Sequence, residues 1–255
     1  KAFARTGHTV VPCPMDAQGI HPMELRRAGA NLAYLTPAHQ FPTGVSMPAG
    51  RRAELLRWAQ DGAERWLVED DYDSEFRYSS RPLPAMQGMG GGERTVYIGT
   101  FSRSLAPGLR VAYMVLPPEM TFRYEQAGLR SGDAVSRFEQ QAMAALLTQG
   151  VYARHLRRAA GVYSKRCQAL CALLSEIPGS WLTGQHAGLH FLFGIHGKSE
   201  EELVQAAAGA GIPLRGLSSY ALRTKAQSAL VLGFAGLPDE KLAQAVHALR
   251  TAWNL

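Results

Sequence analysis

No apolar run in this sequence approaches the roughly 20 residues that a bilayer-spanning helix needs. A secretory leader is not read either, because the opening residues, KAFARTGHTV, are too polar for an apolar leader core. The start has no initiating Met and reads like the end of a helix running into a strand, so the chain is expected to begin mid-protein. Cysteine is scarce: three in 255 residues, at Cys13, Cys167 and Cys171, all in apolar surroundings. Cys167 and Cys171 are one helical turn apart, but no second pair completes a zinc site, so free buried thiols in a cytoplasmic protein are expected. Lysine is nearly as sparse, at positions 1, 165, 198, 225 and 241 only. There is no internal repeat and no low-complexity tail.

The hydrophobic content, 46%, is enough for a full core, and the length suits one large domain or a large and a small one. The net charge of +6 permits anionic ligands or nucleic acid without pointing to either. One basic cluster, Arg154, His155, Arg157, Arg158, Lys165 and Arg166, falls on a single predicted helix and reads as a solvated face.

Strand and helix patterns alternate along the chain. Strands are predicted over 8–14, 31–35 and 66–68, with helices over 21–28 and from Pro48 to about Ala63. Helices follow over 138–147 and 151–174, the longer one with a stripe of Tyr152, Leu156, Ala159, Tyr163, Cys167, Leu170 and Leu174. Strands over 189–195, near Leu214 and over 230–234, a helix over 199–208 with a capping-box start, and a last helix from Pro238 complete the pattern. That alternation predicts an α/β fold. The expected division is a large part over 1–150, a connecting helix over 151–178 and a small unit over 179–255.

The stretch Thr95 to Pro117, TVYIGTFSRSLAPGLRVAYMVLP, organises the rest. Two apolar runs, Val96–Ile98 and Val111–Leu116, read as strands buried on both faces. Between them lie the hydroxyls of Thr100 and Ser102 and the cations Arg103 and Arg110, a set that suits an anion, most often phosphate, at a strand end. The stretch closely resembles the lysine loop of fold-type I, pyridoxal-phosphate-dependent aminotransferases, roughly G-S/T-F-S-K-x-L-x-P-G-L-R-x-G-Y. Arg103 stands where that pattern has the lysine that carries the Schiff base.

The resemblance implies a fold-type I architecture: a large, mostly parallel sheet domain, partial at its N-terminus, and a small C-terminal α/β domain. It implies that Arg110, Thr100 and Ser102 face the cofactor phosphate, although either hydroxyl alone reads as ordinary turn capping. Asp70, at the end of the strand at Trp66–Val68, matches the acid on the pyridine nitrogen, and Tyr72 matches the tyrosine on the ring oxygen. Asp71 and Asp73 read as a solvated turn. EDDYDSEFRY and HQFPTG are most like the aminotransferase-like regulators of the MocR type, within the GntR group. Phe41 takes the place of the asparagine usual in the second motif. His39 can line the pocket, though a lone loop histidine is more often a surface or core residue. The strand over 230–234 lacks the carboxylate-binding arginine of ordinary aminotransferases; Arg223, or less readily Arg215, is the stand-in for an effector contact.

The resemblance therefore implies an effector-sensing domain of a MocR-type transcription regulator. It would bind pyridoxal 5'-phosphate non-covalently, answer an amino-acid-like small molecule and dimerise. DNA contact would come only through a winged helix upstream, which this chain does not contain. An aminotransferase for amino acids and 2-oxo acids is the first alternative, with little or no activity expected without the lysine. A degenerate scaffold that binds no cofactor is the second.

Overall fold

Short apolar runs pair into sheets, as their length and boundaries predict, in a computed structural model that describes residues 2–78, 83–127, 135–222 and 227–255. The chain opens with a helical turn, α1 (Ala2–Arg5), followed by a small hairpin of β1 (Met15–Asp16) and β2 (Gly19–Ile20). Helix α2 (Pro22–Arg27) is capped by the His21 ring, which accepts from the Met23 amide. Then come β3 (Leu32–Leu35), α3 (Ala49–Gln60), β4 (Trp66–Asp71), β5 (Thr95–Thr100) and β6 (Ala112–Val115). These four strands form one sheet in the order β3-β4-β5-β6, parallel across the first two pairs and antiparallel at β5–β6.

Helix α3 turns Leu55, Leu56 and Ala59 inward, and they pack with Leu35 and Leu67 in one buried cluster. The 3.6-residue period puts those positions on one face. Arg52, on the same helix, is 1% exposed, and its guanidinium donates to the carbonyls of Met47, Pro37 and Pro84 at 3.0, 3.0 and 2.7 Å. A buried cation is tolerated only when its donors are satisfied. Here the satisfaction also holds the loop after β3 in place.

Helices α4 (Pro118–Gln126) and α5 (Arg137–Thr148) lead to the long α6 (Val151–Ser175). A second sheet, antiparallel throughout, contains β7 (Ser180–Thr183), β8 (His190–Ile195) and β9 (Leu230–Gly233). Helix α7 (Glu200–Gly209) follows β8, with the expected capping box of Ser199 and Glu202. The last helix, α8 (Leu242–Ala252), contributes Leu242, Val246 and Leu249 to the buried cluster on this sheet, beside Trp253. Phe193 stacks on Trp253 at 5.6 Å, and the indole donates to the Leu203 carbonyl at 3.0 Å. Full burial of a large apolar side chain contributes roughly 1.5–3 kcal/mol, so this cluster is the main support of the C-terminal part.

Several expectations are corrected. No ladder forms over 8–14, since the chain pairs only from Met15 onward. Near Leu214 there is one isolated bridge, Gly216 to Leu230, rather than a strand. Strand β6 is not buried on both faces: it is the edge of its sheet and all its residues are exposed. The predicted stripe on α6 is fully buried only from Cys167 onward, at Cys167, Leu170 and Leu174. Strand β7 and helix α4 carry no pattern strong enough to have been predicted. No helix among the described residues is long and apolar enough to cross a membrane.

Candidate functional site

Parallel strands end on the same side of a sheet, and the loops that follow them therefore converge. Here β3 leads into the loop that carries His39, β4 ends on Asp70 and Asp71 and leads into Tyr72 and Asp73, and β5 ends on Thr100 and leads into Phe101–Arg103. The register sets Asp70 beside Ile98 and Asp71 beside Gly99, so Tyr72 and Thr100 leave neighbouring strands at the same level.

Asp70 is half-buried, and the Tyr34 hydroxyl donates to its Oδ2. Tyr34 is in register with Val68, two residues before Asp70 and on the same face, which is why a β3 side chain reaches a β4 carboxylate. Burial pushes the Asp70 carboxyl up; the Tyr34 hydrogen bond pulls it down and Asp71 adds to the rise. No cation pairs with Asp70 among the described residues. A half-buried carboxylate in that state suits a protonated ring nitrogen.

Tyr72 donates from its hydroxyl to the His39 carbonyl at 2.8 Å, and its Oη is 3.4 Å from His39 Nδ1. Burial, then Asp73, raises its pKa, and the Arg103 charge acts in the opposite sense. Arg103 also depresses His190, after burial and His39, and His190 is pushed down to about 4. The exposed Arg103 therefore lies within electrostatic reach of both rings. Its side chain has no ion pair among the described residues, and the same holds for exposed Arg110. Arg110 takes a left-handed backbone conformation, φ 51°, at the end of the Pro107–Leu109 turn.

Thr100 behaves as the bland reading has it: its hydroxyl donates to the Val111 carbonyl at 3.3 Å and accepts from the Ser102 amide at 3.1 Å. The Ser102 hydroxyl has no hydrogen bond among the described residues. Arg223 lies outside the described residues. Arg215 is an exposed loop cation whose carbonyl accepts from the Val231 amide at 2.9 Å. The basic face of α6 is mostly exposed, as expected.

Asp71 and Asp73 are not a solvated turn. Asp71 is half-buried and accepts from Tyr97 Oη at 2.8 Å and Ser74 Oγ at 2.6 Å. Asp73 is 1% exposed, 3.0 Å from His39 Nδ1, and accepts from the Leu189 amide at 3.2 Å. His39, also 1% exposed, is a buried and paired residue. His190 completes the cluster, its ring 4.5 Å from that of His39. One ligand-type atom from each of His39, Asp73 and His190 lies within 4.8 Å of the others, a set that includes donors able to hold a metal ion. Sequence spacing could not reveal this cluster, since Asp73 and Leu189 are 116 residues apart. The Cys167 and Cys171 thiols are free, with Sγ atoms 3.9 Å apart; the neighbouring Cys171 sulfur, and after it burial, push Cys167 up.

A cavity of about 520 Å³ opens beside β5 and β6, lined by Glu75, Tyr97, Phe101, Tyr113 and Tyr152 among others. None of the predicted site residues lines it. Tyr97 projects from the face of β5 opposite to Thr100.

No protein-family model matches the chain. Among curated proteins it is 38% identical to the uncharacterized HTH-type transcriptional regulator YhdI of Bacillus subtilis, over 99% of this chain and 54% of the relative. It is 32% identical to the probable rhizopine catabolism regulatory protein MocR of Rhizobium meliloti, over 97% and 50%. It is 31% identical to the pyridoxine biosynthesis regulator PdxR of Corynebacterium glutamicum, over 98% and 54%. The chain thus spans about half the length of the curated relatives it matches. Among solved structures, LysN, the alpha-aminoadipate aminotransferase of Thermus thermophilus, complexed with N-(5'-phosphopyridoxyl)-L-leucine, superposes with a TM-score of 0.85 at 26% identity, over 99% of this chain and 67% of that one. The kynurenine aminotransferase of Pyrococcus horikoshii, in complex with PMP, superposes with a TM-score of 0.82 at 24% identity, over 96% and 63%.

Proposed function

This chain has the fold-type I aminotransferase fold and is a homologue of MocR/GntR-type regulators, and from that premise we propose that it is the effector-sensing part of such a regulator. In this reading it holds pyridoxal 5'-phosphate without a covalent bond and answers an amino-acid-like compound. The observation that carries the reading is the convergence of Asp70, Tyr72 and the Thr100–Arg103 turn at the ends of adjacent parallel strands, with no cation on Asp70 among the described residues. A ring nitrogen would supply that cation. Arg110 and the Ser102 hydroxyl, both unengaged among the described residues, fit the phosphate. Tyr72 fits the ring oxygen. Pyridoxal phosphate supplies an aldehyde and a protonatable ring; this chain's residues bind and orient both.

Arg103 stands at the position of the family's lysine and keeps its charge at any working pH. It offers the aldehyde no amine, so turnover is not part of the proposal, and its fixed cation suits a carboxylate or phosphate instead. The reading also includes the division into 1–150, 151–178 and 179–255, a homodimer, a cytoplasmic setting, and DNA contact through a segment other than this one. Borohydride reduction after loading with pyridoxal phosphate is the test. Reversible binding with no stoichiometric reduced adduct on this chain is expected, and one adduct per bound cofactor mapped to any of its lysines, at 1, 165, 198, 225 or 241, would overturn the non-covalent reading.

A further inference from the structure

The geometry points to Asp73 and His39 as positioning residues for Tyr72, acting through a buried chain of hydrogen bonds that also holds the turn before β8. The inference rests on the proposed cofactor pocket, because Tyr72 is the member that would meet the ligand.

Asp73 Oδ2 is 3.0 Å from His39 Nδ1 and already accepts from the Leu189 amide at 3.2 Å. A carboxylate only accepts, so the pair requires the proton on Nδ1. Nδ1 is then a donor and cannot receive the Tyr72 hydroxyl, whose Oη is 3.4 Å away. The Tyr72 O–H therefore goes to the His39 carbonyl, at 2.8 Å. Its oxygen is left to accept. Asp73, which makes no bond to Tyr72, thus decides which way that hydroxyl points.

The packing leaves the chain little freedom. Gly188 has φ +68°, and a Cβ there would come within 2.0 Å of His39 Nδ1 and 2.4 Å of Asp73 Oδ2. Gly44, two residues beyond Pro42, approaches Gly184 so closely that a Cβ would lie 2.8 Å from its Cα. His190 Nε2, 3.2 Å from the Pro42 carbonyl, bonds the same loop from the other sheet. The carboxylate that orients Tyr72 is therefore the one that fastens Leu189, the residue before β8, so a ligand on Tyr72 and the entry to the C-terminal sheet depend on a single acceptor.

Two histidines and a carboxylate are also a metal-ligand set, but the hydrogen bonds weigh against that use. His39 Nδ1 and Asp73 Oδ2 face each other directly, and Gly188 closes over both. The buried atoms left without a partner, His39 Nε2 and Asp73 Oδ1, are those the pair does not use.

The experiment has two arms, both in the full-length protein. Histidine side-chain ¹⁵N NMR on the ligand-free protein should find His39 protonated at Nδ1, and Asp73→Asn should release that tautomer. Protonation at Nε2 in the wild type would overturn the inference, whatever the ligand does. Titration with pyridoxal phosphate should find Tyr72→Phe and Asp73→Asn each weakened roughly tenfold. The double variant should bind no more weakly than Tyr72→Phe alone, because Asp73 acts through Tyr72. Additive losses, an unaffected Asp73→Asn, or a stoichiometric metal lost on that substitution would each overturn it. If Asp73→Asn does not fold, His39→Gln, which keeps the carbonyl and removes the ring, takes its place in the cycle with the same expectation. A wild type that does not bind pyridoxal phosphate at all overturns the pocket reading, and the ligand-facing role falls with it, while the tautomer arm reports on the dyad separately.

Discussion

Replacing Arg110 with alanine removes a guanidinium that the ligand-free protein does not use. The residue is exposed, and its side chain has no ion pair or hydrogen bond among the described residues. Its left-handed backbone, φ 51° and ψ 30°, is strained for any residue with a Cβ. Arginine and alanine share that strain, so it cancels in the comparison. The melting temperature should move little, in keeping with the roughly ±0.5 kcal/mol of ordinary surface changes. Ligand affinity should respond quite differently. One charged hydrogen bond to a phosphate contributes about 1.5–3 kcal/mol, which is roughly a tenfold to hundredfold change in Kd. Arg110→Lys keeps the charge but loses the planar pair of donors, and should fall between the two. The assay is an absorbance titration with pyridoxal phosphate, run beside a thermal melt. Arg157→Ala, on the exposed face of α6, is the control for non-specific charge loss. An unchanged Kd in Arg110→Ala, or an equal loss in the control, would refute the phosphate assignment.

Arg103→Lys should restore an imine, because the flanking Thr100–Ser102 and Pro107–Arg110 keep the family spacing and a lysine amine, unlike a guanidinium, has a neutral fraction that can attack the aldehyde; a visible band that borohydride bleaches, with label on the introduced amine, is the expected result. Asp70→Asn should weaken pyridoxal phosphate binding yet leave the ligand-free protein as stable or more so at neutral pH. Burial raises the folded-state pKa of Asp70, so its ionisation opposes folding above the ordinary aspartate range, and melts should converge below that range. His190, pushed down to about 4 from an ordinary 6.5, is held neutral in the fold, and its contribution is lost as pH falls between those values. His190→Gln should flatten the acid-side loss of stability in pH-dependent melts, and an unchanged slope would remove His190 as its cause.

Much of this was legible in the sequence because local chemistry decides it. The capping box at Ser199 depends on a neighbour three residues away, and it forms as predicted. The turn from Thr100 to Arg110 was legible for the same reason, since its Gly, Pro and hydroxyl residues act within one loop. What escaped depends on long-range contacts. Asp73 looked like one more acid in a run of turn residues, and only the approach of Leu189 and His39 buries it. Strand β6 has the apolar content of a core strand, but its place at a sheet edge is a matter of topology. Thr100 kept its ordinary turn role because the Val111 carbonyl returns beside it after the hairpin.

The central claim is that this chain holds pyridoxal phosphate through charge and hydrogen bonds alone. Equilibrium titration of the full-length wild-type protein with pyridoxal phosphate, followed by borohydride treatment and peptide mapping, tests it most directly. Saturable binding of one cofactor per chain, reversed on dialysis, with no stoichiometric reduced adduct on any peptide of this chain, is the expected result. Failure to saturate would make the chain a scaffold without a cofactor, and a mapped adduct would contradict the non-covalent role of Arg103.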